Sequence, residues 1–553
     1  MNKKHFILFL FLVMAFALKA QEQVHLFPDR SSCVSGDTLW FNVVIINQTP
    51  DNTGNVIHIQ LDDLNNHHIM KVSVVCEGNN AEGYLHVPDS LSTGVYVLKA
   101  FTNLQKSNPS TIIHQKLVTI YNRFESVINL IDLPKTNTSE FGEIPDISIV
   151  SNQESSIMNI KIDLPDNICK DALELIVTAR LADPFADKFS SGWVNGTISQ
   201  ETEKYMAVSE NTGIIISGRI YSLTDGSPKP GSTVLLSIPD TLPYFDYCIA
   251  DEQGRFFFYI RNVIGAGNLV LQELTDNQED TGMELFQNYI ETPGINSEEQ
   301  VLTNEQRSFS SDIVKASYFD KFFYHSQSLS SDTFSIRKDF TYPFYGPPTK
   351  SFYPKLFIDL DNFTEISREI LRGVQYRVRK EQASIRMLDY GTESIFAGEP
   401  FKLFDGIPVF DPGFFNNMGT NKIKRVDAVF YKRFFGDLRF DGVLAIYSNN
   451  PTLSWIESIP GVSLIHCNYL QPALRWNFSN KTSRYANIPN FEKVFYRERM
   501  ENIQSDNNFS FETSDIKGDI LIEVIAVCKG NEIYQSRKII ENRKQRVIDK
   551  TGN

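Results

Sequence analysis

The sequence predicts a mainly β protein, a tandem array of β-sandwich domains with one α+β domain among them. Short runs rich in Val, Ile, Phe and Tyr alternate with Gly, Pro, Asn and Asp punctuation along nearly the whole chain. Long helical periodicity is rare. With 553 residues, and roughly 100 to 200 residues per domain, three to five cores are expected.

The first element is a leader. Lys3 and Lys4 precede an apolar run from Phe6 to Leu18, with small residues at Ala15, Ala17 and Ala20, the pattern of a signal peptide over residues 1–20. Lys19 interrupts the run before the roughly 20 apolar residues that a spanning helix needs. The first cysteine, Cys33, lies well past either cleavage point, after Ala17 or Ala20, so no lipid-modified N-terminal cysteine is expected. No later stretch has spanning length, and the mature chain is expected to be soluble.

Charge and cysteine usage exclude several classes. The chain holds 53 basic and 67 acidic residues, and without Lys3, Lys4 and Lys19 the balance is 50 to 67, a net charge of −17. Nucleic acid is therefore an unsuitable partner. The six cysteines (Cys33, Cys76, Cys169, Cys248, Cys467, Cys528) form no C-x-x-C pair and fall in strand-like runs, which argues against zinc. Export permits disulfides, and Cys33 with Cys76 is the pairing to test against buried free thiols.

Residues 21–122 read as a first sandwich of about 100 residues, with strands at Asp37–Asn47, Tyr84–Val87 and Val95–Thr102. Asp29-Arg30, then Ser35-Gly36-Asp37-Thr38-Leu39-Trp40-Phe41, and later Pro88 to Tyr96, resemble a macroglobulin-like domain. None of the six cysteines is followed by the Gly-Glu-Gln that forms the thioester of macroglobulin protease traps, so covalent trapping is not expected. Residues 123–210 read as a second sandwich, in which Met158–Ile162 and Leu173–Val177 are facing strands.

In residues 211–276, a strand at Ile216–Ile220 precedes the turn cluster Gly226–Gly231, a strand at Thr233–Ile238 and the hairpin turn Asp251–Gly254 feeding Phe256-Phe257-Phe258. This order resembles the carboxypeptidase regulatory-like domain, a small transthyretin-like sandwich without catalytic residues. Residues 277–350 read as a polar connector with one short helix near Ile313–Phe323. The connector closes on Tyr342-Pro343-Phe344-Tyr345-Gly346-Pro347-Pro348, taken as a stiff segment pinned to a neighbouring domain rather than an exposed aromatic platform.

Residues 351–452 supply the α+β domain. Thr364 is positioned to cap a helix that buries Ile366, Ile370, Leu371 and Val374. Strand signals follow at Leu403–Phe410 around Asp405-Gly406, at Ile423–Phe430 and at Phe440–Tyr447. The order resembles the plug domain of TonB-dependent outer-membrane transporters: a helix, a D-G-x-P-V strand, a strand opening I-x-x-[IV] and a closing F-x-G-V-x-x-I strand. A transporter does not follow, since residues 453–553 hold too few strands for a barrel and read as a C-terminal sandwich. The mature N-terminus offers no evident energy-coupling box either. The domain order resembles that of a group of envelope proteins.

Residues 351–450 hold fourteen basic and thirteen acidic side chains, a net of +1. Arg368, Arg372, Arg377, Arg379, Lys380 and Arg386 cluster there as candidate contacts to an anionic partner, such as lipid headgroups or an acidic protein face. The alternative reading is a solvated surface. No H-E-x-x-H, G-x-S-x-G or phosphate-binding loop occurs. His67-His68 after Asp62-Asp63 lack a third metal ligand, and Asp359 with Asp361 read as strand-end solvation. The expectation is an exported, non-catalytic interaction or scaffold protein of a gram-negative cell envelope, without cofactor or metal. Its plug-like domain would dock on a protein partner at the outer membrane, placing the chain in the periplasm or at that membrane without spanning it. The alternative is a carbohydrate- or peptide-binding module using Trp40, Trp193 and Tyr345.

Overall fold

The structure, a computed structural model, describes residues 22–542 apart from 47–55, 109–110, 126–129, 133–141, 144–147, 155–156, 189–192, 199–209, 212, 241, 276–277, 287, 296–297, 301, 325–336, 339–340, 381, 457–458, 473–489, 502, 505 and 530–531. The expected leader lies outside the described residues. The chain divides into two compact bodies. One gathers residues 1–212, 289–333 and 470–553, the other 213–288 and 334–469.

The first body opens on a sandwich. Thr38–Ile46 pairs antiparallel with Gln23–Pro28 and with Asn80–His86. A larger sheet runs in the order Trp193–Thr197, Ile112–Tyr121, Gly94–Phe101, Val56–Asp62, His68–Val75. Leu26, Phe41 and Leu85 from the small sheet meet Ile57, Ile59, Leu98 and Ile120 from the large one in a single core. Each such side chain contributes about 1.5–3 kcal/mol by leaving water. Strand Val56–Asp62 is buried on both faces. Its alternate residues His58, Gln60 and Asp62 point away from this core toward a polar layer.

The expected separate sandwiches at 123–210 and 453–553 are one domain assembled from both stretches. Ala172–Leu181 pairs with Val494–Met500 on one side and Ile520–Cys528 on the other. Ile157–Asp163 likewise pairs with Asp506–Glu512. Met158, Ile160 and Ile162 face Leu175, Val177, Ile522 and Val524 across the core. Trp193–Thr197, also expected in the second sandwich, instead edges the first one against Ile112–Tyr121. A period of two identifies a strand and its buried face but not its neighbour, so sequence adjacency misassigned these elements.

The connector differs as well. Its helix spans Asn304–Tyr324, 21 residues, and is neither short nor a spacer. Thr303 and Gln306 form a reciprocal cap, with Gln306 N–H donating to Thr303 Oγ1 at 3.2 Å and Thr303 N–H to Gln306 Oε1 at 2.9 Å. Phe309, Ile313 and Ala316 enter the split-domain core. The polar first half of the helix conceals its start from an apolar-period reading.

In the second body, one three-stranded sheet is ordered Arg255–Arg261, Gly213–Ser222, Thr281–Leu285. A four-stranded sheet is ordered Tyr244–Ile249, Thr233–Ile238, Ala266–Glu273, Val462–Asn468. The last strand was expected in the C-terminal sandwich; here it completes the sheet that starts 229 positions earlier. The Asp251–Gly254 turn carries the chain between the two sheets instead of closing a hairpin. Asp251 Oδ1 accepts from Gln253 and Arg255 N–H, and Gly254 takes φ +72°.

The α+β element is a sheet ordered Lys350–Phe352, Ile423–Val429, Val443–Ser448, Phe401–Phe404, Ile407–Pro408. On one face Val426, Ala428, Leu444 and Ile446 pack on Phe363, Ile366 and Ile370. On the other, Leu403, Val443 and Ala445 pack on Tyr345, Phe344 and Phe245. The helix is Phe363–Glu369, capped by Asn362 rather than Thr364: Asn362 Oδ1 accepts from Glu365 N–H at 3.0 Å. Val374 belongs to the following strand, Val374–Arg379. Asp405 (φ 49°) and Gly406 (φ 86°) turn the D-G hairpin, both in the left-handed region that a tight two-residue turn of this kind requires.

Candidate interaction surface

The hairpin after the helix carries the basic side chains. Val374–Arg379 pairs with Gln382–Asp389, with Gln375 opposite Arg386, Arg377 opposite Ser384 and Arg379 opposite Gln382. Strand alternation puts these six residues on one face. It holds three arginines and no carboxylate, while Val374, Tyr376, Ile385 and Met387 are buried on the other face. Arg377, Arg379 and Arg386 are exposed. Lys380 extends the basic surface at the tip with φ 48°. Arg368 pairs with its neighbour Glu369 at 2.7 Å, and Arg372 stands exposed in the turn between helix and hairpin. The structure thus aligns Arg377, Arg379 and Arg386, of which the spacing alone reveals only the first two.

A second feature of this body went unread in the sequence. A cleft of about 440 Å³ lies between the small β domain and the α+β sheet, lined among others by Asp240, Asn268, Asp405, Arg425, Tyr447 and Ser448. Asp405 accepts from Ser448 N–H at 2.7 Å and Oγ at 2.8 Å, yet burial raises its pKa above the usual carboxylate value. The Arg425 guanidinium lies 4.3 Å from the Tyr447 ring centre and pairs with Asp427 at 3.1 Å. Tyr345, 1% exposed, bonds to Tyr447 at 2.7 Å and Asp427 at 3.1 Å, and Phe344 stacks on Phe245 at 4.7 Å. This aromatic segment is pinned, and Tyr345 cannot present a ring to a glycan. Trp40 is covered by the Arg497 guanidinium at 4.3 Å. The side chain of Trp193 lies outside the described residues.

In the first body, His58 Nδ1 meets Ser73 Oγ at 2.8 Å and Nε2 meets Glu210 Oε2 at 2.6 Å. Residue types alone would evoke a nucleophile and its base. However, His58, Ser73 and Glu210 are 0%, 3% and 1% exposed, so no substrate reaches them, and burial lowers the His58 pKa despite Glu210. The chain is a structural tie. His67 bonds to Asp63, while His68 bonds to Asp62 and stacks on Tyr289. Among the described residues no group of three or more His, Cys, Asp or Glu is placed to hold a metal. Asp359 and Asp361 are exposed. All six cysteines are free, and burial pushes the thiols of Cys33 and Cys76 up to about 12, so both stay protonated at neutral pH. No described helix is long and apolar enough to cross a membrane.

These features define a mainly β protein of tandem sandwiches whose polar clusters are chiefly structural and whose aligned basic face is exposed. No protein-family model and no curated protein matches the chain. Among solved structures it overlays a mutant of Salmonella alpha-2-macroglobulin at 9% identity and TM-score 0.23, covering 95% of this chain and 39% of that one. Elastase-activated Escherichia coli alpha-2-macroglobulin gives 9% identity and TM-score 0.22, covering 94% and 44%. A tetra-tandem repeat of a large adhesion protein gives 7% and 0.14, covering 94% and 100%. The chain spans about two fifths of the length of these two macroglobulins.

Proposed function

We propose that this chain is an exported, non-catalytic cell-envelope protein that docks through the basic hairpin face onto an acidic protein surface of an outer-membrane assembly. The signal-peptide pattern of residues 1–20 supports export. The resemblances to macroglobulin-like, carboxypeptidase regulatory-like and TonB-receptor plug-like domains support an envelope setting. The observation that carries the docking surface is the alignment of Arg377, Arg379 and Arg386 on a face without carboxylates. Several buried cations among the described residues are met by acids, as in Arg180–Asp187 at 2.7 Å and Arg497–Asp29 at 3.2 Å. Three like charges side by side repel one another, and an acidic partner would relieve that repulsion while steering its own approach. The test is cross-linking in intact cells followed by capture from outer-membrane fractions. Recovery of a membrane protein cross-linked to the hairpin supports the reading, and capture of none sinks it.

A further inference from the structure

The polar layer behind strand Val56–Asp62 brings a carboxamide and a carboxylate to one amine. Lys99 lies opposite Gln60 on the neighbouring strand and is 1% exposed. Its Nζ is 2.5 Å from Asp62 Oδ2 and 2.5 Å from the side-chain oxygen of Asn66. Adding a carbonyl bond of about 1.23 Å places Nζ no more than about 3.7 Å from the Asn66 carboxamide carbon, close to the separation from which nucleophilic attack starts. Asn66 is held there by the turn it occupies, with φ 72° and its N–H bonded to the Asp63 carbonyl at 3.1 Å. Asp62 is fully buried and fixed by Gln60 Nε2 at 2.7 Å and His68 Nδ1 at 3.2 Å.

We propose that Lys99 and Asn66 become joined by an intramolecular amide bond, with Asp62 carrying the proton. Asp62 takes a proton from the Lys99 ammonium, leaving a neutral amine. The Nζ lone pair attacks the Asn66 carboxamide carbon, Asp62 returns its proton to the departing nitrogen, and the carboxylate so restored takes the second proton from the attacking Nζ. The C–N bond to the original amide nitrogen breaks, ammonia leaves, and the new C–N bond to Nζ remains. Amine plus primary amide gives secondary amide plus ammonia, with no oxidant or cofactor. Burial favours the step, because desolvation lowers the Lys99 pKa although Asp62 opposes it. The bond would tie the loop after Val56–Asp62 to strand Gly94–Phe101, a covalent brace suited to an envelope protein exposed to proteolysis.

Mass spectrometry of the purified full-length chain tests this. The predicted result is a digest containing one branched peptide in which Lys99 and Asn66 are linked, lighter than its two parts by about 17 Da for one ammonia. The linked peptide is decisive, since a cyclised N-terminal glutamine loses the same mass. Lys99→Arg keeps a cation beside Asp62 and should abolish the branched peptide in a folded chain. Asp62→Asn should reduce it several-fold while circular dichroism remains native. Unlinked Lys99 and Asn66 peptides from folded wild-type chain would overturn the proposal. Equal linkage in Asp62→Asn would overturn the role given to Asp62.

Discussion

The carboxylate of Asp37 accepts the ammonium of Lys493 at 2.5 Å across 456 positions of sequence. Its other oxygen accepts Ser317 Oγ from the long helix at 2.6 Å. Asp37 therefore ties the first sandwich to the split domain and to the returning connector. Burial would raise its pKa, but Lys493 and Arg30 overcome this and hold it at about 2. Asp37→Asn should destabilise the first body by about 3–5 kcal/mol, since it strands a buried cation. Removing both partners, as in Asp37→Leu with Lys493→Met, should recover part of that loss. Urea denaturation of the three variants checks the ordering.

Acid should weaken the first body in two stages. His25 is buried and stacked on His114 at 4.3 Å, and burial, helped by His114, lowers its pKa from 6.5 to about 3. The unfolded chain takes up this proton first, so the stabilisation is complete above pH 6.5 and declines toward pH 3, by at most about 1.4 kcal/mol per pH unit. Asp37 adds a second loss as pH falls from its unfolded value near 3.8 through about 2. Stability measured from pH 8 to 3 should be flatter for His25→Phe than for wild type.

The strand pairings predict how the chain can be cut. A fragment ending at residue 210 lacks Val494–Met500 and Ile520–Cys528, the two partners of Ala172–Leu181. Its residues 148–181 should show no cooperative unfolding or slow amide exchange alone, and should gain both when residues 490–542 are supplied. If the fragment were protected alone, the shared sheet would be refuted.

This outcome marks what the sequence could and could not reveal. Periodicity exposed individual elements: Thr233–Ile238 is a strand at the predicted bounds, and Asp405-Gly406 turns where its chemistry requires. It could not tell which sheet receives Val462–Asn468, because pairing depends on partners distant in sequence. The polar alternation His58, Gln60, Asp62 was visible yet reads by default as a solvent face. Only the structure lays Glu210, Ile290 and Lys99 against it. The basic hairpin was half visible, since Arg386 joins Arg377 and Arg379 through cross-strand register alone.

Gly406 packs against the small β domain, and a Cβ there would lie 2.5 Å from Pro243 Cβ. Gly406→Ala should cost about 1–2 kcal/mol from the left-handed backbone alone, with the clash adding to it. Thermal unfolding of the second body should register the loss, whereas Gly226→Ala, also at positive φ but with open space around it, should show only the backbone share.

The most direct test of the docking account reverses the aligned charges. Arg377→Glu, Arg379→Glu and Arg386→Glu combined should leave stability within about 1.5 kcal/mol, about 0.5 for each exposed substitution. Cross-linked capture of the proposed outer-membrane partner should fall at least tenfold relative to wild type. Undiminished capture by the folded triple variant would contradict the assignment of this face as the docking surface.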